Sequence, residues 1–370
     1  MPKENYSSAA LLQRHRAFWR LEDTGRPLVG VYLGSYLTDV IYRVANENEL
    51  LLPGQLDPEL FIDALIEDCR ATQNLEQDLI IPLQPLSSVP WLEGMLGCPI
   101  RVQAQSVWAE PALAKGMPLE TFEPRWCQEW LDAALRFVNA LIAKCSPFYP
   151  VAGPFLRGPA DIIAAMIGTD RLCYELIDNP SQIHRLARIS TEAWVKVSRQ
   201  IIPLIPPWMG GYVFGARWIY APDKSTYCSE DTTVLLSPAA YRKFFLPYNR
   251  IIAQEYPYGF WHRHSTSTQH LLDLLDLNPG WAIEVTMDPT GPQVSEILPI
   301  LQRIQQAGRT LIVFGLNDPD EVGRLVAGLS PRGLCVTVQA DTEDQARQLL
   351  AAGRRACGTN YCSSKSIPGI

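Results

Sequence analysis

The chain has 370 residues, of which 47% are hydrophobic, and its formal net charge is −7. This is enough apolar material for one large domain or two smaller ones. The negative charge and the lack of a long basic run argue against a nucleic-acid-binding protein.

No apolar stretch reaches the roughly 18 residues that a membrane-spanning helix needs, so we expect no membrane segment. Met1 to Ser8 are polar and lack the apolar core of a signal peptide. The nine cysteines are scattered without zinc-ribbon spacing, and several lie in apolar runs. A reduced, cytoplasmic protein is the simplest interpretation.

Short apolar runs, each followed by a helical pattern, predict eight strands. In chain order they are Leu28–Leu33, Asp78–Leu83, Phe148–Ala152, Trp218–Tyr227, Tyr258–His264, Trp281–Val285, Thr310–Gly315 and Leu334–Gln339. The fourth run is the least regular because Pro222 interrupts it.

Helix start signals stand between these strands, at Asn179-Pro180, Ser237-Pro238, Asp318-Pro319 and Thr342 to Gln345. Pro247 should kink the helix that begins at Pro238. Alternation of strand and helix to a total of eight favours a single (β/α)8 TIM barrel. An open doubly wound sheet is the alternative, but it would usually bring a glycine-rich phosphate loop, and the sequence has none.

On this interpretation one barrel domain takes up residues 1–370, with insertions at the rim after the second and third strands. Residues 1–27 form an N-terminal helical extension, and 356–370 form a loose tail. Cys357 and Cys362 in the tail could bind a metal or cross-link, although a loose tail is the simpler interpretation.

His262 and His264 close the fifth predicted strand. Residues two apart on a strand point to the same side, so both imidazoles should face one cavity. The carboxyl end of a barrel strand is where such enzymes carry their chemistry, and paired imidazoles suit metal binding or proton transfer. The alternative is a pair of polar residues at an ordinary junction of strand and loop.

Other polar or aromatic residues fall where predicted strands end, or in turns that could wall a pocket. Candidates for substrate binding are Gln84, Phe155, Arg157, Trp208, Tyr227 and Asn317. Glu230 and Asp231 are the best carboxylate pair for acid–base work, unless they cap the adjoining segment at Thr232.

Two further carboxylates are candidate partners of the histidines. Glu284 stands inside an otherwise apolar strand, where a buried carboxylate needs a histidine or metal partner. Asp341 can be a ligand, but capping of the last helix explains it more simply. Asp288 also lies just after the sixth predicted strand.

Several segments share a pattern with one barrel family. They are Val89–Ile100, Gly153–Asp161, Cys173–Pro180, Ser229–Pro238, Phe245–Tyr248 and Leu311–Leu350. Together they resemble the uroporphyrinogen decarboxylase superfamily, which includes tetrapyrrole decarboxylases and corrinoid- or thiol-linked methyltransferases. The likeness extends over nearly the whole chain.

The methyltransferase branch is the closer likeness. True uroporphyrinogen decarboxylases carry an arginine-rich loop after the first strand that meets substrate carboxylates, whereas this chain has no arginine there before Arg43. The methyltransferases bind zinc through a His-x-Cys-Gly motif and a distant cysteine. His262 matches the first ligand, His264 replaces the motif's cysteine, and positions 339–341 contain no cysteine.

The resemblance therefore implies a zinc site with nitrogen and oxygen ligands, drawn from His262, His264, Glu284 and Asp341. It implies methyl transfer involving a thiol or a corrinoid, the corrinoid being carried by a separate protein. The catalytic groups would be His262 and His264 with Glu230 and Asp231. The alternatives are decarboxylation of a tetrapyrrole or other small carboxylic acid, and a non-catalytic barrel that binds a corrinoid or tetrapyrrole.

Overall fold

The computed structural model describes residues 9–34, 44–72, 74–86, 89–103 and 106–355. The tail expected at 356–370, with Cys357 and Cys362, lies outside these residues, as do the first eight residues of the N-terminal extension.

The described part of the chain is a mixed α/β structure. Its α-helices are α1 (Ala9–Trp19), α2 (Glu59–Ala71), α3 (Trp91–Met95), α4 (Gln128–Cys145), α5 (Pro159–Ile167), α6 (Thr169–Asp178), α7 (Pro180–Ile201), α8 (Pro238–Phe244), α9 (Leu246–Ile252), α10 (Val294–Gln306), α11 (Pro319–Gly328) and α12 (Glu343–Arg355). Its strands are β1 (Leu28–Leu33), β2 (Ile100–Gln103), β3 (Ser106–Ala109), β4 (Tyr212–Val213), β5 (Tyr220–Ala221), β6 (Ser225–Ser229), β7 (Tyr258–His264), β8 (Trp281–Thr286), β9 (Leu311–Leu316) and β10 (Leu334–Ala340). Within the described ranges, none of the helices is long and apolar enough to cross a bilayer.

Six strands form one parallel sheet in the order β1-β10-β9-β8-β7-β6. Their carboxyl ends lie along one edge because every pairing is parallel. In this register His262 on β7 stands between Ser229 on β6 and Glu284 on β8. Two short antiparallel hairpins, β2–β3 and β4–β5, lie outside the sheet ladder.

The predictions of β1 and β7 are confirmed to the residue. β8 and β10 each end one residue later than predicted, and β9 begins and ends one residue later. The predictions of ladder strands at 78–83 and 148–152 are wrong, because the two segments share only an isolated bridge between Leu83 and Val151. Pro82 and Pro150 lack the N–H groups that a regular ladder requires. The run from Trp218 splits into β5 and β6 at Pro222, so it is not one strand.

Two of the predicted helix start signals act as side-chain N-caps. The side chains of Ser237 and Asp318 accept the N–H groups of Ala240 and Asp320 at the starts of α8 and α11. The kink expected from Pro247 is a complete break, because α8 ends at Phe244 and α9 begins at Leu246.

The β4–β5 hairpin packs against side chains that project from the sheet. Phe214 and Ile219, at its turn, share a buried apolar cluster with Leu28, Phe260 and Ile312 on three strands of the sheet. The connecting residues 215–218 are thereby placed close to the carboxyl ends of β7 and β8.

Candidate metal centre

The two histidines of β7 point to the same side of the strand, as their spacing predicts. Their Nε2 atoms lie 3.3 Å apart. The alternate residues Trp261 and Arg263 are fully buried on the opposite side. The strand period of two thus places the histidines on one face of β7 and Trp261 and Arg263 on the other.

Asp231 completes a triangle with the two imidazoles. Its Oδ1 lies 3.2 Å from Nε2 of His262 and 3.4 Å from Nε2 of His264. Asp231 begins a 3-10 turn directly after β6, the strand beside β7. Asp231, His262 and His264 form the cluster in the described residues whose donor atoms are close enough to share one metal ion.

A buried carboxylate, that of Asp161, holds the turn that carries Asp231. Asp161, in the first turn of α5, accepts the N–H groups of Asp231 and Thr232 at 3.0 and 2.8 Å. The hydroxyl of Ser229 donates to Oδ1 of Asp231 at 3.1 Å. Burial, together with the charge of Asp231, raises the pKa of Asp161 to about 7.

Each histidine has a carboxylate at its other ring nitrogen. Nδ1 of His262 contacts Oε2 of Glu284, and Nδ1 of His264 lies 2.5 Å from Oδ1 of Asp288. Asp288 also accepts the hydroxyl hydrogen of Ser265 at 3.0 Å. With an Nδ1–H donated to each carboxylate, the Nε2 lone pairs of both neutral rings face Asp231.

The two Nε2 atoms and Oδ1 of Asp231 converge, so either a bound cation or protons on the imidazoles can offset the repulsion between their lone pairs. A tetrahedral zinc ion with bonds of about 2.0–2.1 Å needs donor atoms roughly 3.3–3.4 Å apart. The three distances of 3.2, 3.3 and 3.4 Å match that requirement. Carboxylate partners on the second ring nitrogen are also typical of zinc-binding histidines.

Without a metal ion, protons on the imidazoles supply the positive charge of the cluster. Burial disfavours the charged form of His262, but Glu284 and Asp231 outweigh it and raise the pKa of that imidazole to about 9. The hydrogen bond to Asp231 likewise raises the pKa of His264 against the effect of burial. Burial also opposes ionisation of Asp231, yet the two histidines hold its pKa well below the ordinary value.

A groove adjoins Asp231, one of the three residues of the triangle. It encloses about 830 Å³ including the open space at its mouth. Trp108, which is 56% exposed, Pro111 and Ala165 form part of its apolar lining, and Arg157 and Asp231 are among its polar residues. The Arg157 guanidinium is held by buried Glu93 at 3.2 Å.

Glu230, the predicted partner of Asp231, does not join the histidines. Its fully buried carboxylate lies 2.8 Å from Nη2 of Arg263 and accepts hydrogen bonds from Asn249 at 2.6 Å and from the Ala160 N–H at 3.1 Å. β6 ends at Ser229, and the turn that follows directs Asp231, not Glu230, towards the cluster. In this place Glu230 stabilises the packing of α5 and α9 on the sheet.

The two carboxylates predicted as metal ligands lie in different places. Glu284 is adjacent to His262, but it contacts Nδ1 and so supports the ring from behind the triangle. Asp341 is exposed, and its N–H donates to Oε1 of Gln345 at the start of α12. The geometry therefore places Asp231 where the sequence suggested Glu284 or Asp341.

The predicted substrate-binding residues divide into separate groups. Tyr227 stacks on Phe260 with ring centroids 4.9 Å apart, accepts from Gln84 at 3.2 Å and meets the ring of Phe155. Arg157 lines the groove, whereas Asn317 is exposed beside Gln345. Trp208 packs with Leu11 and other residues of a small cluster that includes none of the triangle residues.

Sequence reasoning missed Arg217 and Asp161. Nε of Arg217 donates to Oε1 of Glu284 at 3.0 Å, and Arg217 is only 7% exposed. A single charge within the apolar run from Tyr212 to Tyr220 is the sequence signal that could have identified it. Asp161 had no such signal, because an acidic residue in a first helical turn is common.

The sequence matches no known family description, and no curated protein matches it. The chemistry of the site is therefore defined by its own atoms: three convergent acceptors, a carboxylate behind each imidazole and one buried guanidinium.

Proposed function

We propose that this protein is a zinc-dependent enzyme in which Asp231, His262 and His264 hold one metal ion. The observation that carries the proposal is the triangle of acceptor atoms with edges of 3.2, 3.3 and 3.4 Å. Two imidazoles and one carboxylate are ligands that suit zinc, and three protein ligands with an open position are typical of catalytic zinc.

We infer further that the fold is a (β/α)8 barrel of the uroporphyrinogen decarboxylase kind. Single backbone contacts that continue from one end of the sheet to the other support this: Asp78 N–H donates to Val29 O at 2.8 Å, Leu83 bridges Val151, and Arg157 bridges Ser229. In such a barrel the triangle stands at the carboxyl ends of strands, where the active sites of these enzymes lie.

The reaction that we propose is methyl transfer from a corrinoid, carried by a separate protein, to a small thiol. The thiol loses its proton, the S–C bond forms as the Co–C bond breaks, and the electron pair of that bond stays on the cobalt of the corrinoid. Zinc bound here would act as a Lewis acid and favour the ionised, nucleophilic form of a thiol. Glu284 and Asp288 orient the two imidazoles, and Asp161 holds the turn of Asp231. The groove that reaches Asp231 gives a substrate access from the side of Trp108.

The charges around the triangle favour this reaction over decarboxylation of uroporphyrinogen. A substrate with many carboxylates needs several cations to bind it. Among the described residues at the site, Arg217 pairs with Glu284, and Arg157 pairs with Glu93. Both guanidinium charges are thus already balanced by buried carboxylates.

The first test is the metal content of the protein purified without added metal or chelator. We expect close to one zinc per chain, and loss of that zinc in the His262→Ala/His264→Ala double variant and in Asp231→Asn. Two matched controls, His184→Ala and Asp341→Asn, should keep it, because both residues lie apart from the triangle. Failure of the unmodified protein to retain zinc after reconstitution would contradict the proposal, as would loss of zinc in Asp341→Asn.

The second test is turnover with methylcobalamin as donor and 2-mercaptoethanol as acceptor, monitored by the loss of methylcobalamin absorbance. We expect activity in the zinc-loaded protein and none in Asp231→Asn. Release of carbon dioxide from a tetrapyrrole carboxylate without a thiol would favour decarboxylation instead. Tight corrinoid binding that survives loss of both histidines, without turnover, would favour a binding role.

A further inference from the structure

Arg217 is a buried cation that reaches the site from an element of its own. The triangle residues, Glu284 and Asp288 lie in sheet strands or just after them, and Asp161 lies in α5. Arg217 instead lies in the connection of the β4–β5 hairpin. Its guanidinium carbon lies 4.0 Å from the ring centroid of Phe314, and Nη1 donates to Ala216 O at 2.8 Å. These contacts hold the planar group in one orientation.

Arg217 is the donor in each of its side-chain hydrogen bonds, because a guanidinium donates and never accepts. Nη2 donates to Oγ1 of Thr286 at 3.1 Å, so the hydroxyl hydrogen of Thr286 is free to go to Oε1 of Glu284, 2.8 Å away. Nε of Arg217 donates to the same Oε1 at 3.0 Å. Oε1 of Glu284 therefore receives two donors.

The remaining oxygen of Glu284 determines the state of His262. Oε2 contacts Nδ1 of His262 more closely than Nη2 of Arg217 does at 3.3 Å. A bare Nδ1 would set its lone pair against a carboxylate oxygen, so Nδ1 must carry the hydrogen. In the neutral ring the lone pair is then on Nε2, which faces Asp231 and His264.

We propose that Arg217 is a positioning residue of the metal centre: through Thr286 and Glu284 it fixes the ring and tautomer of His262 so that Nε2 is available as a ligand. This inference rests on the proposed zinc site. It assigns a function to the β4–β5 hairpin, which would place a hydrogen-bond donor beside Glu284 and Thr286 of β8.

The test compares zinc affinity in R217M, R217K and Thr286→Val by competition with a chromophoric chelator. We expect R217M to bind zinc about 10- to 100-fold more weakly, the usual effect of losing a partner behind a metal ligand. R217K should recover part of the affinity, since an ammonium group donates to Glu284 but lacks the fork that also reaches Thr286. Thr286→Val should weaken zinc binding less than R217M does, because Arg217 still donates to Glu284.

Arg263 offers a matched control for a purely structural effect. It belongs to β7, faces the opposite side, is fully buried and pairs with Glu230, so R263M removes a comparable buried ion pair. We expect R263M to lower stability while the folded protein keeps its zinc affinity. Equal weakening in R263M and R217M, or a dissociation constant in R217M within about twofold of the unmodified protein, would overturn the inference.

A second readout separates this inference from the proposed function. Nitrogen-15 NMR of metal-free protein, recorded at an alkaline pH where the His262 ring is seen to be neutral, reports which ring nitrogen carries the hydrogen. We expect Nδ1–H in the unmodified protein and a mixture of tautomers in R217M. If the protein binds no zinc, the proposed function fails but this measurement still tests Arg217. The same tautomer in both proteins would refute its positioning role.

Discussion

His15 illustrates at the scale of one residue how burial fixes a protonation state. The Tyr220 N–H donates to Nδ1 at 3.1 Å, so Nε2 carries the hydrogen and donates to Asp78 O at 2.7 Å. The nearby Asp78 carboxylate is itself paired with Arg14 and Arg26. Burial therefore dominates and lowers the pKa of His15 to about 4, although Asp78 opposes the shift.

This shift predicts a loss of stability in mild acid. The folded-state pKa lies below the unfolded value of about 6.5, so protons bind the unfolded chain more tightly. The stabilisation is complete above about pH 6.5, falls as the pH drops towards 4 and changes no further below that. When the pH falls from 7.5 to 5, the protonation of His15 should lower the free energy of unfolding by about 2 kcal/mol.

The measurement is urea unfolding at pH 7.5 and pH 5 for the unmodified protein and for His15→Gln. Glutamine keeps one donor and one acceptor but does not titrate, so the variant should lose about 2 kcal/mol less between the two pH values. Other buried groups contribute to both proteins and cancel in the comparison. An identical pH dependence would show that His15 is not held neutral by the fold.

At the scale of elements, the sequence predicted the features that depend on a regular period. The same-side placement of His262 and His264 results from β7 being a strand, and the apolar pattern of that strand is unambiguous. The choice between Glu230 and Asp231 has no such basis, because β6 ends at Ser229 and a 3-10 turn sets the direction of the next side chains. The lone charge of Arg217 in an apolar run could have marked it, but its partner could not be predicted, since a tertiary contact brings it to a histidine 45 residues away.

The junction between β6 and α5 gives a test of close packing between elements. Gly158 precedes α5, and its N–H donates to Ser229 O at 2.7 Å. A Cβ atom there would lie 2.5 Å from Cγ of Glu230 and 2.6 Å from Sγ of Cys228. Both neighbours are buried, so Gly158→Ala should lower the unfolding free energy by about 1–3 kcal/mol.

Gly323 is the matched control for that substitution. It lies in α11, and a Cβ atom there would meet nothing within 4 Å. Gly323→Ala should raise the unfolding free energy by about 0.5–1 kcal/mol, because alanine loses less conformational entropy in a helix. Urea unfolding of the two variants should therefore give effects of opposite sign; stabilisation in both would mean that α5 does not approach β6 so closely.

For the whole molecule, the triangle joins parts of the chain that are far apart in sequence. Asp231 lies just after β6, the histidines close β7, Glu284 belongs to β8, and Arg217 comes from the β4–β5 hairpin. These segments meet only in the folded protein, so a metal ion held by the triangle binds the folded state and not the dispersed chain. Metal binding should then be measurable as stability.

We expect zinc at about 100 times its dissociation constant to raise the unfolding free energy by about 2.7 kcal/mol, less any affinity of the unfolded chain for zinc. The nine cysteines give the unfolded chain some affinity, so the observed rise should be smaller. Urea unfolding with zinc and with a chelator measures it, and the His262→Ala/His264→Ala variant corrects for binding elsewhere. A rise in the unmodified protein that is absent from the variant places the stabilising ion at the triangle, whereas an equal change in both would place zinc on other groups and remove the basis of the proposed reaction.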